Sequence, residues 1–536
     1  TRSAPFDERD VVLITYGDQV TEAGRAPLAT LADFLTQHVQ GVVTGVHILP
    51  FYPSTSDDGF AVVDYDAVDP ALGDWDDIEH ISSRFRLMVD AVFNHVSASS
   101  PWFESYRKGD PAYEDFFIAP PRGLDVSQVI RPRSTPLLTA VECADGSQPI
   151  WTTFSADQVD LNFTNPEVLL TVTGSLLGYL AHGADILRLD AVAFLWKEPG
   201  TSCIHLQPTH EVVQLWRTVV DLCSPGTLII TETNVPHVEN ISYFGNGTNE
   251  AHLVYQFPLA PLILSTFHLA DTRTLHEWAA MLSTPSEQTA FLNFLGSHDG
   301  IGLRPAEGLL TRSEIGQLGE LARAHGGGVS SRADGDGRLS PYELNTVLFD
   351  ALTPADSTEP LRIQVDRFLS AHSLLLALAG VPAVYVQSLL GSRNWHEGAK
   401  QTGRLRSINR QKFDRRQLER ELADVGSRRH QVFARLMQRI RTRIAEPAFH
   451  PNGPQRLLDS VPALFALERM SVDGSSSVLC IHNVSGRPQR FQASGLSVRG
   501  GVTDLVTGEP RDAGRHGTID MEIGPYGVAW LRGRTW

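Results

Sequence analysis

Eight short apolar runs, spaced along the first three quarters of the chain, constrain the fold more than any other feature. They are "VVLITYG" from Val11, "GVHILP" from Gly45, "LMVDAVFNHV" from Leu87, "ADILRLD" from Ala184, "TLIITET" from Thr227, "LVYQFPL" from Leu253, "FLNFLGSHD" from Phe291 and "VPAVYVQSL" from Val381. Most are continuous rather than alternating, as expected for strands covered on both faces of a parallel sheet. Helical patterns such as "EVVQLWRTVVDLC" from Glu211 lie between many of them. Eight such strands with crossover helices predict an α/β fold of the (β/α)8 TIM-barrel type.

Two connections are too long for ordinary strand-to-helix loops and read as inserted subdomains. After about Pro447 the pattern changes to short strands with turn residues between them: "ALFALERM", "SSVLCIHNV", "QRFQASG" and "GVAWLRG". This predicts a C-terminal antiparallel β domain. The expected division is barrel segments at 1–96, 167–300 and 360–446, insertions at 97–166 and 301–359, and the β domain at 447–536. The apolar stretch His372 to Gly391 is broken by Gly380 and Pro382. It reads as the end of a buried helix, a turn and a buried strand rather than a membrane span.

Catalytic residues of such barrels project from the C-terminal strand ends. Here strand 3 ends in Asp90, Asn94 and His95, strand 4 in Arg188 and Asp190, strand 5 in Glu232, and strand 7 in His298 and Asp299. Asp57 and Asp58 follow strand 2. A lone acid after a strand is most often a helix cap. Acids and histidines at successive strand ends converge instead on one mouth. Paired carboxylates are the equipment of glycosidic bond cleavage, one ionised to attack and one protonated to assist the leaving oxygen. Arg188, two residues before Asp190, would hold Asp190 ionised, and Glu232 after "LII" would be desolvated enough to stay protonated.

The formal net charge of −17 argues against nucleic acid and anionic membranes as partners. Cys143, Cys203, Cys223 and Cys480 are scattered and fit no metal-ligand spacing. They imply reduced thiols and, with no signal peptide in view, a cytoplasmic location. The stretch "RADGDGRLSPYE", Arg332 to Glu343, imitates an EF-hand loop, with Asp334, Asp336, Gly337 and Glu343 in register. Arg332 at its first position, Pro341, and the preceding Gly326, Gly327 and Gly328 argue against calcium. No metal and no cofactor are expected.

"DAVFNH" (Asp90–His95), "RLDAV" (Arg188–Val192), Glu232 in "TETN" and "SHD" (Ser297–Asp299) resemble, in order, the four signature regions of the α-amylase superfamily. The resemblance implies Asp190 as nucleophile, Glu232 as general acid/base and Asp299 as transition-state stabiliser, with His95, Arg188 and His298 on the donor glucose. "DDGF", "IRPR", "WTTFSADQVDLN", "KEPGTSC", "HDGIG" and "SINR" resemble the sucrose phosphorylase subfamily. That likeness implies a retaining glycoside phosphorylase, in which inorganic phosphate is the acceptor and α-glucose 1-phosphate the product. It also implies Asp58 and Arg406 as a pair closing the glucose pocket, and Phe154 and Gln158 as donor-site residues. Tyr342 in "SPYEL" would face phosphate or the leaving sugar. Arg332 and Arg338 become anion ligands, with Arg133 meeting them across the mouth.

"DVVLITYGDQ", "GTLIITETNVPHVENISYFG", "EAHLVYQF" and "SPYELN" resemble glucosylglycerate phosphorylases over nearly the whole length. The stretch before "SPYE" departs from them: Ser330, Ser331 and Arg332 stand where bulky aromatic and lysine residues are expected. Small residues and arginines suit a larger, more anionic leaving group. The expected substrate is therefore sucrose 6′-phosphate, with glucosylglycerate the alternative. Sucrose, or a retaining α-glucosidase or transglucosidase activity, is a further alternative. Partners are a small sugar and phosphate, in a monomer or homodimer.

Overall fold

All eight apolar runs form strands. In the computed structural model they are β1 (Val12–Thr15), β2 (Gly45–Ile48), β3 (Arg86–Ala91), β4 (Ala184–Leu189), β5 (Leu228–Thr231), β6 (Leu253–Tyr255), β7 (Ala290–Asn293) and β8 (Val381–Tyr385). The structure describes residues 5–534 except 122, 133, 134, 334–338 and 515; the side chains of 332, 333, 339 and 534 also lie outside the description. The strands close a parallel barrel in sequential order. Closure comes from β1, where Val12 stands beside Gly45 of β2 on one side and Ala383 of β8 on the other. β1, β2, β5, β6, β7 and β8 are buried along their whole length. Burial of each Val, Leu or Ile contributes about 1.5–3 kcal/mol.

Between β3 and β4 the chain builds two small antiparallel pairs, His95–Ser97 with Gln158–Asp160 and Leu138–Cys143 with Gly146–Trp151. A buried ammonium ties this region to the barrel: Lys197 Nζ lies 2.7 Å from Asp160 Oδ2 and donates to Asn94 Oδ1 at 2.8 Å. Asp160 also accepts the Thr153 amide (2.8 Å) and hydroxyl (2.6 Å). Burial pushes the Lys197 pKa down, and Asp160 works to keep the proton in place.

After β7 the chain forms a three-stranded antiparallel sheet from Ile301–Gly302, Leu339–Asn345 and Gly328–Ala333. The helix Arg312–Ala324 packs beside it, opened by a capping box between Thr311 and Glu314. The stretch that imitates an EF-hand is therefore flanked by paired strands, not helices. The carboxylate at its last position, Glu343, is bound by Arg406, as described below. No cluster able to hold a metal ion occurs among the described residues.

The C-terminal region is a six-stranded antiparallel sheet with a second core around Leu464, Ile481, Phe491 and Leu531. Two buried arginines bind it to the barrel through backbone carbonyls. Arg443 donates to Leu376, Gly380 and Phe449, and Arg469 to Ala377 and His450. No helix among the described residues is long and apolar enough to cross a membrane; His372–Gly391 spans the end of helix Leu361–Ala377 and then β8.

Candidate active site

Asp190 and Glu232 are the first residues beyond β4 and β5, and both are held by continuation of the barrel ladder. The Asp190 amide donates to the Ala91 carbonyl (3.2 Å) and the Glu232 amide to the Leu189 carbonyl (3.0 Å). The two carboxylates are neighbours: Glu232 Oε2 accepts the amide of Ala191, the residue after Asp190, at 3.2 Å. Ala191 is in the left-handed region (φ 49°), a conformation that costs a non-glycine residue of order 1–3 kcal/mol and clusters at functional sites.

Arg188 reaches up from β4 between two acids. Its Nη1 donates to Asp190 Oδ1 at 2.7 Å and also to Asp90 Oδ1, while Asp90 Oδ2 lies 2.7 Å from His47 Nε2. Burial opposes ionisation of Asp90, yet Arg188 and His47 hold its carboxyl down to about 2. Burial pushes both Asp190 and Glu232 above the usual carboxylate range, and Arg188 opposes the rise at each. Burial acts more strongly on Asp190, and the Arg188 guanidinium opposes it directly, being hydrogen-bonded to Asp190 and not to Glu232.

Asp299 faces them from beyond β7. Arg406 Nη1 lies 2.5 Å from its Oδ1, and Arg410 Nη2 3.7 Å away. Against the cost of burial, Arg406 and, behind it, Arg410 hold Asp299 well below the usual carboxylate range. Arg406 continues to Glu343, donating to its two oxygens from Nε (3.0 Å) and Nη2 (2.6 Å). Burial pushes the His298 pKa down to about 3, so its ring is neutral, and it stacks 4.9 Å from Phe60. His95, also lowered by burial, donates from Nε2 to the Phe60 carbonyl at 2.8 Å.

Asp190, Glu232, Asp299, Arg406, His298, His95 and Phe60, with Phe154, Gln158 and Tyr342, line one cavity of about 100 Å³ at the barrel mouth. The connection from β2 to β3 contributes a strained rim: Asp57, Asp58 and Gly59 are consecutive positive-φ residues (53°, 52° and 108°). A Cβ on Gly59 would stand 2.8 Å from the Pro50 carbonyl oxygen, so that position needs glycine. Asp58 is not paired with Arg406, as the sequence led us to expect. It is bound by Arg410 Nη1, with Arg404 Nη1 at 3.8 Å, because Arg406 is already engaged by Asp299 and Glu343. Arg332 lies in the strand Gly328–Ala333, opposite Ser340. Its side chain, and residues Arg133 and Arg338, lie outside the described residues.

Four participants were not foreseen: Arg410, Glu343 as an arginine partner, Asn234 and Arg304. The last two line the cavity. Arg304 lay in plain view five residues after Asp299, in "HDGIGLR", but nothing in periodicity separates it from a solvated arginine.

A closed parallel barrel with two adjacent carboxylates and a third held ionised across its mouth is an arrangement suited to cleaving glycosidic bonds. Residues 37–302 match the family described as Alpha amylase, catalytic domain. A glucosylglycerate phosphorylase of Allomeiothermus silvanus is 49% identical over 99% of this chain and 92% of its own. A glucosylglycerate phosphorylase of Escherichia coli is 44% identical, over 99% and 93%. The crystal structure of sucrose 6F-phosphate phosphorylase from Thermoanaerobacter thermosaccharolyticum superposes with a TM-score of 0.76 at 26% identity, covering 89% of this chain and 94% of that one. The chain belongs to the α-amylase superfamily and, within it, to the sucrose phosphorylase family; the relatives it matches there are named glycoside phosphorylases.

Proposed function

We propose that this enzyme is a retaining phosphorylase of α-glucosylglycerate, releasing glycerate and forming α-glucose 1-phosphate. The observation that carries this reading is the 44–49% identity, over 99% of the chain, to proteins named glucosylglycerate phosphorylase. The protein named for sucrose 6F-phosphate is 26% identical. Sucrose 6′-phosphate, favoured by the composition of Ser330 to Arg338, gives way to the alternative.

In this mechanism Asp190, oriented by Arg188, attacks the anomeric carbon while Glu232 gives its proton to the glycosidic oxygen. The intermediate is a covalent glucosyl–Asp190 ester. Phosphate then replaces glycerate, and Glu232, now ionised, takes a phosphate proton as the ester opens. Two inversions retain the α configuration. Asp299, kept anionic by Arg406 and Arg410, stabilises positive charge developing on the ring. Asp58, His95, Phe154, Gln158, Arg188, His298 and Arg406 surround the donor glucose. The cysteines, all four unpaired, suit a reducing compartment such as the cytoplasm.

The test is phosphate-dependent release of glucose 1-phosphate from glucosylglycerate, sucrose 6′-phosphate and sucrose, side by side. Preference for the first supports the assignment. Preference for sucrose 6′-phosphate overturns it, and release of free glucose without phosphate overturns phosphorolysis itself.

A further inference from the structure

Among the polar side chains of the cavity that the mechanism above does not use are Arg304 and Asn234. Arg304 is largely buried, with 15% of its side chain exposed, and its nearest carboxylate oxygen, Glu239 Oε2, is 3.9 Å away. No hydrogen bond from its guanidinium is found among the described residues. Asn234 Oδ1 is buried and accepts no hydrogen bond. Both side chains line the cavity that holds Asp190, Glu232 and Asp299.

The two belong to one packed cluster. Asn234 fits against Gly302, where an added Cβ would stand 2.8 Å from its Nδ2 and 2.9 Å from its Oδ1. The Leu303 amide, next in the chain and just before Arg304, donates to the Tyr342 carbonyl at 2.9 Å. The backbone carrying Arg304 is thereby tied to the strand Leu339–Asn345, which also carries Tyr342.

A guanidinium with spare donors and a buried carbonyl oxygen with no donor describe a complementary ligand. It has a carboxylate for the planar fork of N–H groups and a hydroxyl for the lone pairs of the amide. Glucose offers only hydroxyls. Glycerate, once one of its hydroxyls is the glycosidic oxygen, presents one carboxylate and one free hydroxyl. We propose that Arg304 and Asn234 determine acceptor specificity, Arg304 binding the carboxylate of the hydroxy acid and Asn234 Oδ1 accepting its free hydroxyl. This rests on the glucosylglycerate reading above and assigns residues to it.

The experiment runs the reaction in the synthetic direction, with α-glucose 1-phosphate as donor and glycerate, glycerol or lactate as acceptor. Glycerol replaces the carboxylate with a neutral group, and lactate lacks the second hydroxyl. Arg304→Gln should lower the glycerate-to-glycerol ratio of kcat/KM by about 10- to 150-fold, the worth of charge-assisted hydrogen bonds. Arg304→Lys, which keeps the charge but not the fork, should restore part of it. Asn234→Ala should erase most of the wild-type preference for glycerate over lactate. An unchanged glycerate-to-glycerol ratio in Arg304→Gln, in an enzyme whose wild type prefers glycerate, overturns the inference and leaves the glucosylglycerate reading standing. A rise confined to the KM of glucose 1-phosphate, with that ratio unchanged, would make Arg304 a phosphate ligand and also overturn it. A wild type with no preference for glycerate over glycerol overturns both. Because each variant is read as a ratio on its own folded population, and Arg304→Lys accompanies Arg304→Gln, partial loss of fold does not mask the result.

Discussion

Arg406 stands between two acids, and its removal isolates both. We expect Arg406→Met to destabilise the protein well beyond an ordinary surface substitution. In the native enzyme its guanidinium makes three contacts of 2.5, 2.6 and 3.0 Å to Asp299 and Glu343. Glu343 is only 2% exposed. Removing one member of a buried ion pair costs about 3–5 kcal/mol, because the remaining charge keeps its desolvation penalty without its partner. Unfolding entropy of about 2.1 cal/mol/K per residue, over a unit of roughly 450 residues, corresponds to about 1 kcal/mol per degree. The expected fall in Tm is therefore about 3–5 °C by differential scanning fluorimetry. The double variant Arg406→Met/Glu343→Met, which replaces the pair by apolar side chains, should regain about half of that loss. Activity should stay low in both, since Asp299 loses its closest cation. A Tm within about 1 °C of wild type for the single variant would show that the guanidinium contributes nothing net, and the reasoning fails.

Asp190→Asn should abolish glucosyl transfer, with no labelled ester trapped on denaturation; normal turnover would remove Asp190 from the nucleophile role. The pH profile of kcat/KM should fall on the alkaline side as Glu232, raised by burial, loses the proton it must donate. It should fall on the acid side as Asp190 gains one, whereas Asp299, held low, adds no acid limb above pH 3. Glu232→Gln should remove the alkaline limb, and its persistence would assign that limb to another group. Lys197→Met should cost about 3–5 kcal/mol by leaving the Asp160 charge buried without its cation, read as a lower Tm. Exhaustive dialysis against a chelator should leave activity and Tm unchanged; loss restored by calcium would reinstate a metal role for the EF-hand-like stretch.

The barrel was legible because strands buried on both faces need largely unbroken apolar sequence, and most of the runs from Val11 to Val381 supplied it. The C-terminal strands were legible only in part. Leu464–Met470 and Ser476–Asn483 are almost wholly buried and stood out, whereas Pro510–Asp512 is exposed throughout and carries no apolar signal. Asp190, Glu232 and Asp299 could be placed because a strand end fixes where its next residue points. Which arginine meets which acid could not. Asp58 and Arg410 are 352 residues apart, and Glu343 and Arg406 are 63 apart. Their pairing is decided by how the segment from Leu405 to Arg410 seats against the turn beyond β7, where Asn409 donates to the Ser297 and Asp299 carbonyls and Arg410 to that of His298, not by any local pattern. The same limit separates Arg304 from the arginines chosen by composition.

The ammonium of Lys197 has a further consequence for the conditions under which the enzyme can work. It is the cation at the junction of Asp160 and Asn94, and it is tethered to the chain by its own side chain. A free divalent ion in such a place would be open to competition from inorganic phosphate, which chelates and precipitates such ions and is the co-substrate of phosphorolysis. A tethered charge has no off-rate. The enzyme can therefore be saturated with its own reagent without having that junction dismantled by it.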